Sequence, residues 1–268
     1  MKITVLGSGG ASGVPSIEWG WGYCDPANPK NRRQRPSILV EEGERKLLVD
    51  TSPDLHWQLL DNDIRHLDAV LYTHAHADHL HGIDDLRAVN RVMKTDIPIY
   101  GDTATLGEIS ARFAYCIGSQ EAGKTIYAKP RLVPHEIRAG EAFEVAGISV
   151  QSFDQDHGYM RSIGYRFGSM AYSTDLVNLP EDGFAALAGV DTWLVSALMT
   201  LAHPTHAKLA TVLEWIDRLK PRRTILTHLS GVFDYEALRR DLPPGIEPAY
   251  DGMVVEAYGE PEPIPVWA

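Results

Sequence analysis

Short apolar runs recur along the whole chain, each closed by Gly, Pro, Asp or Asn, and this pattern limits the fold more than any other feature. Runs of about four to eight residues rich in Val, Ile, Tyr and Phe read as β-strands. Residues 3–6, 38–40, 46–49, 69–72, 97–100, 143–153, 162–172, 192–198, 224–227 and 253–257 fit that description. Helical spacing falls between some of them, at 53–61, 84–93, 103–115, 206–219 and 234–240. In the fourth of these, Leu209, Val212, Leu213, Ile216 and Leu219 make a stripe of helical period. Strands come first in hairpin-like succession and then mix with helices. Two sheets packed face to face with helices outside accommodate that order better than a doubly wound parallel sheet. There is no internal repeat, low-complexity tract or Gly/Ser linker, so residues 1–268 are expected to form a single domain.

Charge and composition narrow the function. The net charge of −11 argues against a broad basic surface for a nucleic-acid polymer, which is not expected as a partner. The two cysteines, Cys24 and Cys116, are too few for a disulfide framework or a four-thiolate zinc site. They read as free thiols of a cytoplasmic protein, and the opening MKITVLGSGG has no long apolar h-region. No stretch is long and apolar enough to span a membrane. Gly7–Gly13 follows a strand but lacks the G-x-G-x-x-G spacing, and Pro15 interrupts any helix after it. A tight turn at the rim of a site is the expectation there.

The chemistry gathers at residues 73–82, THAHADHLHG, which holds His74, His76, Asp78, His79 and His81. Imidazole is the commonest neutral metal ligand. On an extended or tightly turned loop His74 and His76 project to one side. Asp78 and His79 lie further on and can face a second ion. Further ligands must come from distant segments, and three polar residues stand where apolar runs end: His157, Asp175 and His228.

With these residues in this order, nearly the whole chain resembles the metallo-β-lactamase fold superfamily. The resemblance implies an α/β (α+β) fold, a four-layer αββα sandwich of two mixed β-sheets with a dinuclear site at one edge. It implies that His74, His76 and His157 hold one ion, that Asp78, His79 and His228 hold a second, and that Asp175 bridges them. Asp50, which closes the run at 46–49, corresponds to an aspartate that orients the site through hydrogen bonds. The nitrogen and oxygen ligands suit Zn2+ or Mn2+, and iron as well.

Within the superfamily the stretch His203-Pro204-Thr205-His206, followed by ILTHLS and AYDGM, resembles the PhnP-like phosphoribosyl cyclic phosphate phosphodiesterases. The substrate implied is a small phosphodiester or a nucleotide-like compound. His206 then sits beside the ions without binding them, donating a proton to the leaving oxygen or stabilising phosphoryl charge. Two ions would acidify a bridging water and neutralise the phosphoryl oxygens, and Asp78 could accept the water's proton. Common zinc β-lactamases place cysteine where Asp175 stands. Thioester or lactone hydrolysis, tRNA processing and a non-catalytic metal scaffold are the alternatives.

Arg32, Arg33 and Arg35 form either a phosphate-receiving cluster or a solvated basic loop. Arg87 is expected to pair with Asp84 or Asp85. Trp19, Trp21 and Tyr23 offer an aromatic wall for a base or sugar, or packing onto the core. PhnP-like members often carry a structural zinc held by clustered cysteines and a histidine after THLS. Here only Cys24 remains and Gly231 follows THLS, so no structural cysteine zinc site is expected. Residues 111–134 are long for a connection and read as a lid or as a contact in a homodimer.

Overall fold

Alternation within each apolar run decides where the layers lie. Leu47 and Val49 pack on one side of their strand and Leu48 on the other; Ile38 and Val40 oppose Leu39 in the same way. Both faces of these strands are buried, which is why they read as continuous apolar runs. The structure, a computed structural model, describes residues 1–118 and 129–257.

The first sheet contains β1 (Lys2–Gly7), β2 (Ser37–Glu42), β3 (Arg45–Val49), β4 (Ala69–Leu71), β5 (Ile97–Gly101), β6 (Leu132–Glu136) and β14 (Met253–Glu256). Their order is β14-β1-β2-β3-β4-β5-β6. The second sheet contains β7 (Ala142–Val145), β8 (Ile148–Asp156), β9 (Arg161–Phe167), β10 (Met170–Ser173), β11 (Thr192–Ser196), β12 (Arg223–Thr227) and β13 (Ile246–Pro248), ordered β13-β12-β11-β10-β9-β8-β7. Both sheets are mixed: β1 to β3 are antiparallel and β3 to β6 parallel, while β7 to β10 are antiparallel and β10 to β13 parallel.

Three cores separate four layers. Ile3, Val49, Leu71, Tyr165, Leu194 and Ile225 pack between the sheets. Outside the first sheet, Leu48 and Val70 meet α1 (Leu55–Asp61), α3 (Leu86–Met93) and α4 (Thr103–Arg112) through Leu55, Leu86 and Ile109. A four-residue helix, α2 (Ala77–Leu80), precedes α3. Outside the second sheet, Trp193 and Leu226 meet α5 (Glu181–Leu187), α6 (Leu209–Leu219) and α7 (Tyr235–Asp241) through Phe184, Val212 and Leu238. This is the αββα sandwich.

Local backbone explains the differences from the sequence reading. The run at 143–153 is two strands, because Ala146 and Gly147 take positive φ (51° and 80°) in a two-residue hairpin loop. The run at 162–172 likewise splits at Gly168 (φ 57°). Strand β6 carries Pro134, and it lies at the edge of its sheet, where a missing N–H is tolerated. Helix α6 begins at Leu209, so His206 lies in the preceding loop. Of the segment 111–134, residues 119–128 lie outside the described residues. Among the described residues no helix is long and apolar enough to cross a membrane.

Candidate metal centre

Strands from both sheets deliver polar residues to one edge. Asp50 follows β3, the 73–79 stretch follows β4, His157 follows β8, Asp175 follows β10 and His228 follows β12. Three of these carry left-handed backbone: Asp50 at φ 66°, Asp175 at 53° and His228 at 56°. Non-glycine residues adopt that region at a cost and collect there at functional sites.

Two groups of donors form. His74, His76, His157 and Asp175 offer atoms that all lie within 4.8 Å of one another, and so do Asp78, His79, Asp175 and His228. Asp175 belongs to both. The hydrogen bonds behind each ring assign its tautomer. The Thr73 hydroxyl donates to Asp50 Oδ2 (2.8 Å), so His74 Nδ1 donates to Thr73 Oγ1 (3.0 Å) and leaves Nε2 bare. His157 Nδ1 donates to the Thr205 carbonyl (2.7 Å), which leaves its Nε2 bare as well. Both bare nitrogens converge on His76 Nδ1, at 3.0 and 3.2 Å. One proton at most serves three nitrogens there, an arrangement that a cation resolves.

The second group is held from behind by Asp50. Its Oδ2 accepts from His79 Nδ1 (2.7 Å) and its Oδ1 from the Thr73 amide (2.8 Å). His79 Nε2 then faces Asp78 at 3.2 Å and Asp175 at 3.3 Å, and His228 Nε2 faces Asp175 at 3.0 Å. Neither Nε2 makes an aligned hydrogen bond although both are buried. The atoms surround a common point rather than aim at each other, so the donor sets fit divalent metal.

The two groups differ electrostatically. Burial and the neighbouring His79 hold the His74 imidazole well below its usual range. Burial also lowers His79 and His228, but the carboxylates outweigh it. Asp78, Asp175 and Asp50 raise His79 well above its ordinary value, and Asp175 with Asp78 pushes His228 up to about 9. Burial raises Asp175, and His228 and His79 outweigh it, keeping the carboxyl well below its usual range.

His206 stands beside both groups and belongs to neither. Its Nε2 is 4.0 Å from Asp175, and its ring centre is 5.1 Å from those of His157 and His228. Burial pushes it down to about 3. His203 touches it, 5.0 Å between ring centres, and accepts from the Thr205 amide. His81 is outside both groups, 3.2 Å from Arg112.

The arginine cluster is not brought together at the site. Arg33 is buried and donates to the Ser230 and Phe233 carbonyls at 3.1 and 2.7 Å. Arg35 pairs with Asp54, and Arg32 lies over the Trp21 ring. Cys24 Sγ contacts Phe233 O and Arg33. Arg87 pairs with Asp84 at 3.2 Å. Instead, a cavity of about 690 Å³ opens beside His206 and His228, lined by the Gly10–Gly13 turn, Trp19, Tyr23 and Met199 among others.

Sequence reasoning missed several supports. Arg112 reaches from α4 to donate to the Ala75 carbonyl in the metal loop. Tyr165 donates to Tyr72 O at the start of that loop. Asp251 accepts from the Ser8 amide and hydroxyl and from the Gln34 amide, tying the glycine turn to β14. The Asp251-Gly252 pair is the one signal among these that was visible beforehand, as part of AYDGM.

The profile of the Beta-lactamase superfamily domain matches residues 45–229. A solved diphosphatase of the PhnP family superposes with a TM-score of 0.87 at 35% identity, covering 96% of this chain and 98% of that one. A protein of Porphyromonas gingivalis named octanoyltransferase is 29% identical over 259 residues, 94% of this chain and 51% of that protein. A Ribonuclease Z of a Mycobacterium species is 29% identical over 254 residues, 85% of this chain and 84% of its own length. The chain spans about half the length of the first curated relatives it matches. Matched over most of its length and carrying both donor groups, the chain belongs to the metallo-β-lactamase superfamily, in its PhnP-like branch, and is a metal-dependent hydrolase.

Proposed function

We propose that this hydrolase is a dinuclear phosphodiesterase that cleaves a small cyclic or nucleotide-type phosphodiester, with Zn2+ or Mn2+ as its ions. The observation that carries the reading is the pair of donor groups sharing Asp175, with the unshared imidazole of His206 against both. His74, His76 and His157 would hold one ion, Asp78, His79 and His228 the other, and Asp175 both. Ions there would supply Lewis acidity and an acidified water, the chemistry that an anionic diester requires. Asp50 fixes the His79 ring through Nδ1, and the Thr205 carbonyl fixes His157 in the same way. Asp78, 3.2 Å from His79 Nε2 and 3.5 Å from His228 Nε2, is the carboxylate beside the second group that would receive the water's proton. His206, kept neutral by its burial, presents an N–H to the oxygen that leaves. The diphosphatase name of the PhnP-family neighbour supports phosphoric-ester or anhydride chemistry over acyl transfer.

Thioester or lactone hydrolysis draws support from the octanoyltransferase relative, although this chain matches half of that protein. The Ribonuclease Z names bring an RNA polymer into consideration, and the net charge of −11 opposes it. Residues 1–268 are read as one domain, supported by the core that the two sheets share. A cytoplasmic setting is supported by two buried free thiols. The test is turnover by the metal-loaded protein of bis(p-nitrophenyl) phosphate, cyclic nucleotides, ribose cyclic phosphates and a thioester panel. Phosphodiester turnover is expected; activity confined to thioesters overturns the reading.

A further inference from the structure

The cavity beside His206 and His228 is built for something other than phosphate. Its lining contains no lysine and no arginine, and its one carboxylate is Glu18. The nearby arginines are committed elsewhere, Arg33 to two carbonyls and Arg35 to Asp54. Two large aromatic side chains line it while standing mostly in water, Trp19 at 75% exposure and Tyr23 at 82%. Exposed aromatics gathered at a concave surface mark a binding site.

The loop that carries them is firmly tied. Ser16 and Gly20 exchange backbone hydrogen bonds at 2.8 and 2.9 Å, and the Trp19 amide donates to Ser16 Oγ. The Tyr23 amide donates to Gly231 O at 2.7 Å. Gly22 packs so closely there that a Cβ would come within 2.4 Å of the same oxygen. Across the cavity Gly10 is packed under Leu198 and His228, where a Cβ would come within 2.8 and 3.3 Å of them. The same cavity is lined by His206 and His228, so a ligand held by the aromatic loop has one end at the metal centre.

We propose that this cavity is a nucleobase pocket, so that the substrate is a nucleoside-borne phosphoester or anhydride whose base stacks on Trp19 and Tyr23. The inference rests on the phosphodiesterase reading and names its substrate class. Aromatic platforms tied to a rigid loop bind base faces at little entropic cost and without sequence demands. The lining mixes apolar Leu198, Met199 and Val232 with polar Ser12, Ser16 and Glu18. Those polar groups can pair with the ring nitrogens and exocyclic amine of a base. A polynucleotide would need cations along its backbone, and the lining offers none.

The experiment measures binding of adenosine monophosphate and of ribose 5-phosphate to the metal-loaded protein by calorimetry. It uses the wild type and the variants Trp19→Ala, Trp19→Phe and Tyr23→Ala, with melting temperature and metal content as folding controls. Adenosine monophosphate is expected to bind on the order of tenfold tighter than ribose 5-phosphate. That ratio should collapse toward one in Trp19→Ala, fall in Tyr23→Ala and recover in Trp19→Phe. Equal affinities in the wild type overturn the pocket, as does an unchanged ratio in both alanine variants, even where diesters are hydrolysed. Binding of S-octanoyl-N-acetylcysteamine that depends on Trp19, without binding of adenosine monophosphate, also overturns it. A Trp19-dependent base preference in a protein that hydrolyses no phosphoester supports the pocket and overturns the phosphodiesterase reading alone.

Discussion

The two halves of the metal centre are built on opposite electrostatic plans. The first, His74, His76 and His157 with Asp175, crowds bare nitrogens around one point, and burial lowers the His74 and His76 imidazoles among them. The second, Asp78, His79 and His228 with the same Asp175, sets two raised imidazoles among lowered carboxylates. One half is a set of unmet acceptors; the other already has its charges balanced by protons. A cation entering the first half meets free lone pairs. A cation entering the second must displace protons, so one site with one set of residue types loads in two chemically distinct ways.

The shared carboxylate is where the comparison breaks most completely. Asp175→Asn, which left-handed backbone tolerates, removes the one charge common to both halves. Metal content, read by plasma emission spectroscopy, should fall in both, and turnover by on the order of 10⁴-fold, since each ion contributes several kcal/mol of charge stabilisation. A variant that keeps both ions would show the halves to be independent. His206→Ala comes next. Turnover should drop roughly 10²–10³-fold, as for loss of a hydrogen-bond donor to developing charge, while metal content stays unchanged in both halves. Unaltered turnover would remove His206 from the reaction.

Asp50→Asn distinguishes the halves more finely, because Asp50 hydrogen-bonds His79 directly and reaches His74 only through Thr73. Affinity of the second ion should weaken about 10- to 100-fold, with the first less affected in the same metal titration. Equal weakening of both would mean that Asp50 supports the loop as a whole.

The smallest effect is the pH dependence. His228, raised to about 9 in the metal-free protein, gives stability that is full below its ordinary value near 6.5 and lost as pH rises through about 9. Affinity for the second ion should rise over the same window, about tenfold per pH unit for each proton displaced. His74, whose lowered value leaves it neutral throughout, gives the first ion no such slope. Competition with a chelator of known pH behaviour measures both.

What could be read beforehand followed from distance along the chain. His74, His76, Asp78 and His79 lie within one short stretch, so their spacing announced them. His157, Asp175 and His228 were legible only as polar residues closing apolar runs, a signal that gained weight when taken together. Ala146 gave no sign that it would take φ 51°, and so one long run hid a hairpin. Arg33, in a cluster of arginines, looked like a phosphate ligand; its two carbonyl partners sit about 200 residues away in the chain, beyond any local pattern. The hydrogen bond from Arg112 to Ala75 O is invisible for the same reason. Layers followed from alternation inside each strand, which is local; cavity walls followed from loops meeting in space, which is not.

The left-handed turns at Asp50, Asp175 and His228 carry a consequence for variation at these positions. Asn, Asp, His and Gly sit comfortably in that region, and β-branched residues do not. The backbone therefore restricts the alphabet before any metal is considered. A library randomised at the three positions and selected only for folding should already lose Val, Ile and Thr. Much of what a lineage could try as a new ligand here is filtered by torsion angle, and the same filter would steer any attempt to breed a different metal preference into the scaffold.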